Sequence, residues 1–125
     1  MTEIMEALYT FWSQFGIPAY MDDQVPDDAV LPYITYQVAK GEFNSSTVLT
    51  AFNWHRRQLG GNADRADMME MIAKAIPNEG VLLPIGRGYL ELRRNTAGFQ
   101  TTWQDPEDAN VIGGRTSYEV YFYVR

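Results

Sequence analysis

The sequence predicts an α+β fold, with a mixed, mostly antiparallel β-sheet carrying an N-terminal helix and one central helix packed on it. Three observations lead there. Apolar residues recur at helical spacing in two stretches, one at the start of the chain and one near its middle. Around them the residues alternate with period two, as half-buried strands require. Glycine and proline punctuate the boundaries, at Gly16, Pro18, Gly60, Gly61 and Pro77. With 125 residues, 46% of them apolar and 21% charged, the chain reads as one folded domain over 1–125 that can close a single hydrophobic core.

Taken in order, Thr2 to Phe15 places Ile4, Leu8, Phe11 and Phe15 in one helical stripe, with Met5 and Trp12 beside it, and Gly16 and Pro18 stop the helix. A short strand is expected at Ala19 to Met21, before the acidic turn DDQVPDDAVLP. Tyr33 to Ala39 alternates, with Ile34, Tyr36 and Val38 on one face and Thr35 and Gln37 on the other. GEFNSS reads as a loop, and Thr47 to Gln58 as a strand with Val48, Phe52 and Trp54 on a shared face. Asn62 is expected to cap a second helix through Ile76, with Met69, Ile72 and Ile76 turned inward, Met68 and Ala73 alongside, and Asp64, Asp67 and Lys74 matching its dipole.

Beyond Gly80 strands are expected to the finish: Tyr89 to Arg93, Phe99 to Gln104 after the turn NTAG, and Thr116 to Val124. A ten-residue loop, DPEDANVIGG, separates the last two. In the last strand Tyr118, Val120, Phe122 and Val124 share one face and Glu119, Tyr121 and Tyr123 the other. Large side chains on both faces predict a central strand or a covered one.

The composition removes several classes of function. Sixteen acidic against ten basic residues leave a net charge of −6, which disfavours a general nucleic-acid binder and any partner that is a polyanion or an anionic membrane. There is no cysteine, so disulfides, a thiolate nucleophile and a zinc–thiolate site are excluded together. The opening MTEIMEALYTFW does not read as a signal peptide and no apolar run approaches transmembrane length, so the chain reads as soluble and intracellular when made, with no membrane partner.

Catalytic chemistry finds no set of residues. His55 is the only histidine, and it falls inside a strand pattern, where a structural or surface role is the simpler reading. The carboxylates Asp22, Asp23, Asp27 and Asp28, and separately Asp105, Glu107 and Asp108, lack the spacing and glycine of a calcium loop and read as solvated turns. Gly86-Arg87-Gly88 precedes a strand rather than a helix, so it reads as a turn and not a phosphate cradle. No catalytic, cofactor-binding or metal-ligating residue is assigned.

Binding to protein is the remaining class. Eight of the ten basic residues are arginines and 14% of the chain is aromatic, the residue types enriched at interfaces. Phe11, Trp12, Phe52 and Phe122 are assigned to the core, whereas Tyr121 and Tyr123 lie opposite the apolar face of the last strand and are interface candidates. Arg56 with Arg57, and Arg93 with Arg94, are neighbours on strands and point to opposite sides. The edges of such a sheet need covering, which an assembly of copies would supply.

The element order, a leading amphipathic helix, a short strand, an acidic proline-containing turn, LPYITYQV, a polar hairpin, TVLTAFNWHRR, one central helix and closing strands that finish on YEVYFYVR, resembles the tail-terminator and minor capsid (head–tail joining) proteins of long-tailed bacteriophages. The resemblance covers nearly the whole chain and rests on Pro32 to Val38 and Tyr118 to Val124. The stretch Asp105 to Gly114 is longer than a minimal hairpin and departs from the pattern.

The resemblance implies a virion protein made in the host bacterial cytoplasm. It would assemble with itself as a ring, commonly a hexamer, on the end of the tail tube, and present a surface to the head connector. DNA would pass through the ring without specific binding, which the acidic balance favours. Loops are the natural contacts to tube and connector, which nominates Glu42, Phe43 and Asn44 within Glu42 to Ser46, and Asp105, Glu107 and Asp108 within Asp105 to Gly114. The alternatives are another neck or head-completion protein and, in a different class, a small metal-dependent hydrolase.

Overall fold

The computed structural model of the protein describes residues 2–38 and 47–124. Helix α1 spans Thr2–Trp12 and tightens into a 3-10 turn over Ser13–Phe15. Ile4, Leu8, Phe11, Trp12 and Phe15 are all buried, the stripe that their spacing dictates. Gly16 then takes φ 85°, a left-handed conformation that ends the helix at little cost only because the residue has no Cβ.

The chain next lays down β1 (Ala19–Met21) and β2 (Tyr33–Tyr36), which pair in parallel, and β3 (Thr47–Arg56), antiparallel to β2. A 3-10 turn at Arg57–Leu59 leads into α2 (Gly61–Ala75). Strands β4 (Val81–Ile85) and β5 (Gly88–Arg94) form a hairpin through Gly86 and Arg87, and β6 (Gln100–Gln104) precedes β7 (Val111–Val124). The order across the sheet is β1-β2-β3-β7-β5-β4, with β6 also on β7. Only β1 with β2 is parallel, so the sheet is mixed and mostly antiparallel, and the α+β class is as expected.

Strand β7 organises the sheet. One edge pairs with β3 along Val111 to Val120, and the other is shared in succession by β6, on Ile112 to Thr116, and β5, on Tyr118 to Val124. β5 and β6 are thus one edge partner interrupted by a turn. Asn95 N–H donates to the Ser117 carbonyl (3.2 Å), and Ser117 N–H donates to the Phe99 carbonyl (2.7 Å), so the ladder resumes across the gap. Asn95 holds the excursion with its side chain, donating to Ser117 Oγ (2.9 Å) and accepting from Ala97 N–H (3.2 Å).

Both helices cover one face. Register sets Leu49, Ala51, Asn53 and His55 of β3 beside Tyr118, Thr116, Gly114 and Ile112 of β7 on that face. Under α1 the packing is apolar, with Trp12 against Phe11, Phe15 and Tyr118, and its indole N–H donating to the Tyr118 hydroxyl (3.3 Å). Under α2 it is more polar. Met68, Ile72 and Ile76 are buried, but Arg94 also donates to the carbonyls of Ile76 (2.7 Å) and Ala73 (2.8 Å), groups that the end of a helix leaves unpaired. Gln100 donates to the Met69 carbonyl (2.9 Å).

The helix sits this close because there is a glycine on each side of the contact, Gly61 at its own first residue and Gly114 on β7 beneath it. A Cβ on Gly61 would lie 2.5 Å from the Arg56 carbonyl oxygen, and one on Gly114 would run into Met69 Sδ.

The structure corrects several expectations. Strand β2 ends at Tyr36, before Val38, and β3 ends at Arg56 rather than Gln58. Helix α2 starts at Gly61 with Gly60 in the capping position, so Asn62 is not its cap; Met69 is turned inward as expected, its Sδ 3.2 Å from Asn53 Nδ2, and Met68 beside it is buried. Val81–Ile85 is a strand that alternation did not single out, because Pro84 and the run of apolar residues obscure it. The expected loop Asp105 to Gly114 closes at Asn110, since Val111 to Gly114 already pair with β3. Phe52 lies on the helix-free face and not in the core, while Phe122 is half-buried against the core. Arg93 and Arg94 do point to opposite sides, Arg94 toward α2 and Arg93 away from it.

Candidate protein-binding face

The face of the sheet away from α1 and α2 divides into an aromatic end and a tyrosine–carboxylate end. Cross-strand register builds the first. Tyr33 on β2 stands beside Trp54 on β3, Trp54 beside Gly113 on β7, and Gly113 beside Trp103 on β6. The next row holds Thr35, Phe52, Arg115 and Thr101. Gly113 leaves the space over which the two indoles meet, 4.8 Å apart and edge to face, with Phe52 5.6 Å from Trp54. Trp54 donates its N–H to Thr35 Oγ1 (2.9 Å), so its polar atom is satisfied and its ring is what it offers.

At the other end, Tyr121 and Tyr123, both expected from the alternation of β7, face the same way as Glu119. The Tyr121 hydroxyl donates to Glu119 Oε1 (2.7 Å) and the Tyr123 hydroxyl to Glu91 Oε1 (2.8 Å). Arg93 Nε lies 3.0 Å from that Glu91 oxygen, and its guanidinium sits 5.1 Å from the centre of the Tyr121 ring. The hydrogen bond to Glu91 pushes both the Tyr123 phenol and the Arg93 guanidinium up from their ordinary values. The network fixes ring orientations on an open face, which lowers the entropy cost of binding through them. Leu82 (55% exposed), Val48 (52% exposed) and Tyr123 (45% exposed) are open large side chains of this face.

The loop candidates divide. Glu42, Phe43 and Asn44 lie outside the described residues. Asp105 and Asp108 hold their own loop, accepting from Glu107 N–H (2.9 Å) and Asn110 N–H (3.0 Å), with Glu107 exposed. That loop stands at the aromatic end, where Asp105 lines a groove with Tyr33, Phe52 and Trp54, while the nominated Ile112, Gly113 and Gly114 are buried in β7. Sequence reasoning missed Trp103 and the role of Phe52. The signal for Phe52 was present in the shared face of Val48, Phe52 and Trp54, but which face of β3 meets the helices depends on long-range pairing.

His55 is buried on the helix side, not at the surface. Asn53 donates through Nδ2 to the Gly114 carbonyl (3.3 Å), which turns Oδ1 toward His55 Nε2–H (2.8 Å). Nδ1 is buried with no hydrogen-bond partner. Burial lowers the imidazole pKa below its ordinary 6.5, against a smaller opposing pull from Asp64, with Arg65 adding to the lowering. The unfolded chain therefore takes up a proton that the folded one refuses. This contribution to stability is full above 6.5 and is lost as pH falls from there toward the folded value. Urea midpoints are expected to fall between pH of about 8 and about 5.5, with a shallower dependence in His55→Gln.

Among the described residues no three of His, Cys, Asp and Glu gather where they could hold a metal ion, and no helix is long and apolar enough to cross a membrane. No family model, curated protein or solved structure matches the chain.

Proposed function

We propose that the protein is a structural component of a phage virion that acts by binding protein and not by catalysis. In this reading copies of the chain form a ring, a hexamer, that caps the tail tube and offers a surface to the head connector, while DNA passes through unbound. The observation that carries the reading is the helix-free face, which spans β2, β3, β5, β6 and β7 and carries Tyr33, Phe52, Trp54 and Trp103 at one end and Tyr121 and Tyr123 at the other, with Glu91 and Arg93 bracing the tyrosines. Aromatic and arginine-rich surfaces of this kind are what interfaces select.

Two further features support it. The strands that carry the resemblance, around Tyr33 to Tyr36 and the second half of β7, each contribute to this face. The sheet also ends in unpaired edges at β1 and β4 among the described residues, which neighbouring copies in a ring would cover.

Light scattering with negative-stain imaging tests it. The expected result is rings of one size at high protein concentration or on purified tail tubes. A monomer under both conditions would overturn the ring.

A further inference from the structure

We infer that the groove at the aromatic end of the sheet takes an arginine side chain from a basic segment of a partner protein. The inference rests on the protein-binding reading and names the chemistry of one partner. The groove has a volume of about 570 Å³ and runs between the 22–32 loop and the 105–110 loop. Tyr33, Phe52 and Trp54 line it, with Asp22 and Asp105 contributed by the two loops. Trp54 spends its N–H on Thr35 and packs on Phe52 and Trp103, so what it turns to the groove is aromatic ring, which can meet a cation.

Charge selects the occupant. The two loops carry four and three carboxylates and neither has a lysine or arginine. Arg56 is the one cation of the lining and is outnumbered. These carboxylates do not converge on a metal-sized point. A spread negative rim around aromatic walls suits a broad, weakly hydrated cation that can stack and hydrogen-bond at once. Guanidinium fits that description better than ammonium or a metal ion. Asp105 and Asp108 are held in place by their own backbone bonds, so the second rim is preorganised.

The probe is a short, blocked Arg-Ser-repeat peptide, and its control replaces each arginine with citrulline, which has the same shape without the charge. Calorimetry and tryptophan emission are read on the full chain. The arginine peptide is expected to bind and shift the emission, with about tenfold weaker binding in the citrulline control and in Asp22→Asn/Asp105→Asn. Glu6→Gln/Glu79→Gln, with the same charge change at exposed sites elsewhere, is expected to bind as the native chain does.

Equal binding of the citrulline peptide, or equal weakening by both double variants, would overturn the inference. Particle mass is measured on the same samples. Peptide binding by a chain that forms no rings would support the groove while the ring reading fails. A smaller particle in Asp22→Asn/Asp105→Asn, with no peptide binding to the native chain, would assign the groove to a second copy and overturn the inference.

Discussion

Trp12→Ala is expected to lower the unfolding free energy by about 4 kcal/mol, enough to leave much of a small domain's stability gone. Trp12 is fully buried at the end of α1, where the helix tightens into its 3-10 turn. Its ring meets Phe11 edge-on at 5.0 Å and lies 5.9 Å from Phe15 and 5.6 Å from Tyr118, so truncation opens a cavity bordered by rigid rings that cannot collapse into it. The change also removes the N–H that the buried Tyr118 hydroxyl accepts from. Trp12→Phe separates the terms, keeping most of the apolar volume and losing the donor, at an expected cost of about 2 kcal/mol. Urea unfolding followed by circular dichroism measures both. A loss under about 1 kcal/mol for Trp12→Ala would mean that α1 is not anchored on the sheet through this residue.

Gly113→Ala is expected to cost about 3 kcal/mol for a different reason. A Cβ there would lie 2.7 Å from the Asn53 carbonyl oxygen, a backbone atom of the paired strand, so relief requires β3 and β7 to part. A flexible side chain could swing away from such a contact, but the ladder cannot. The same Cβ would stand 3.7 Å from the Trp103 ring, so the indole pair over Gly113 is the next thing displaced. Gly86→Ala is the control, since its nearest neighbour, Glu3 Oε1, is at an ordinary 3.4 Å, and its effect is expected within about 0.5 kcal/mol. Thermal unfolding of the two variants gives the comparison, and equal melting temperatures would contradict the close approach at Gly113.

The local pattern of this chain carries much of its fold. The stripe from Ile4 to Phe15 and the alternation of Tyr118 to Tyr123 each follow from side-chain period alone, and both held. What could not be read is what depends on pairing. Val111 to Gly114 looks like loop because its glycines suit a turn, yet those glycines serve the close contacts of β7 with β3 and α2. Phe52 looks like core because it is large and apolar, and only the register of β3 turns it to the helix-free side. Val81–Ile85 contains a proline and little alternation, so it became legible only as the edge partner of β5.

The candidate face divides the same way. Tyr121 and Tyr123 were legible because alternation on one strand separates them from Val120 and Phe122. Their hydrogen bonds to Glu119 and Glu91, the second from another strand, were not. The aromatic end draws its side chains from three distant segments, around Tyr33, Trp54 and Trp103, and no window of sequence contains them together.

The central claim is that the helix-free face binds protein, first of all other copies of the chain. It is tested most directly by the particle mass of the native chain beside Val48→Arg. Val48 is exposed on that face with Glu119 as its cross-strand neighbour, so arginine there is accommodated by the fold while it adds bulk and charge to the surface. The native chain is expected to sediment as a closed assembly of six copies, and Val48→Arg, with unchanged circular dichroism, as a monomer. Assembly of Val48→Arg indistinguishable from the native chain would contradict the assignment of this face.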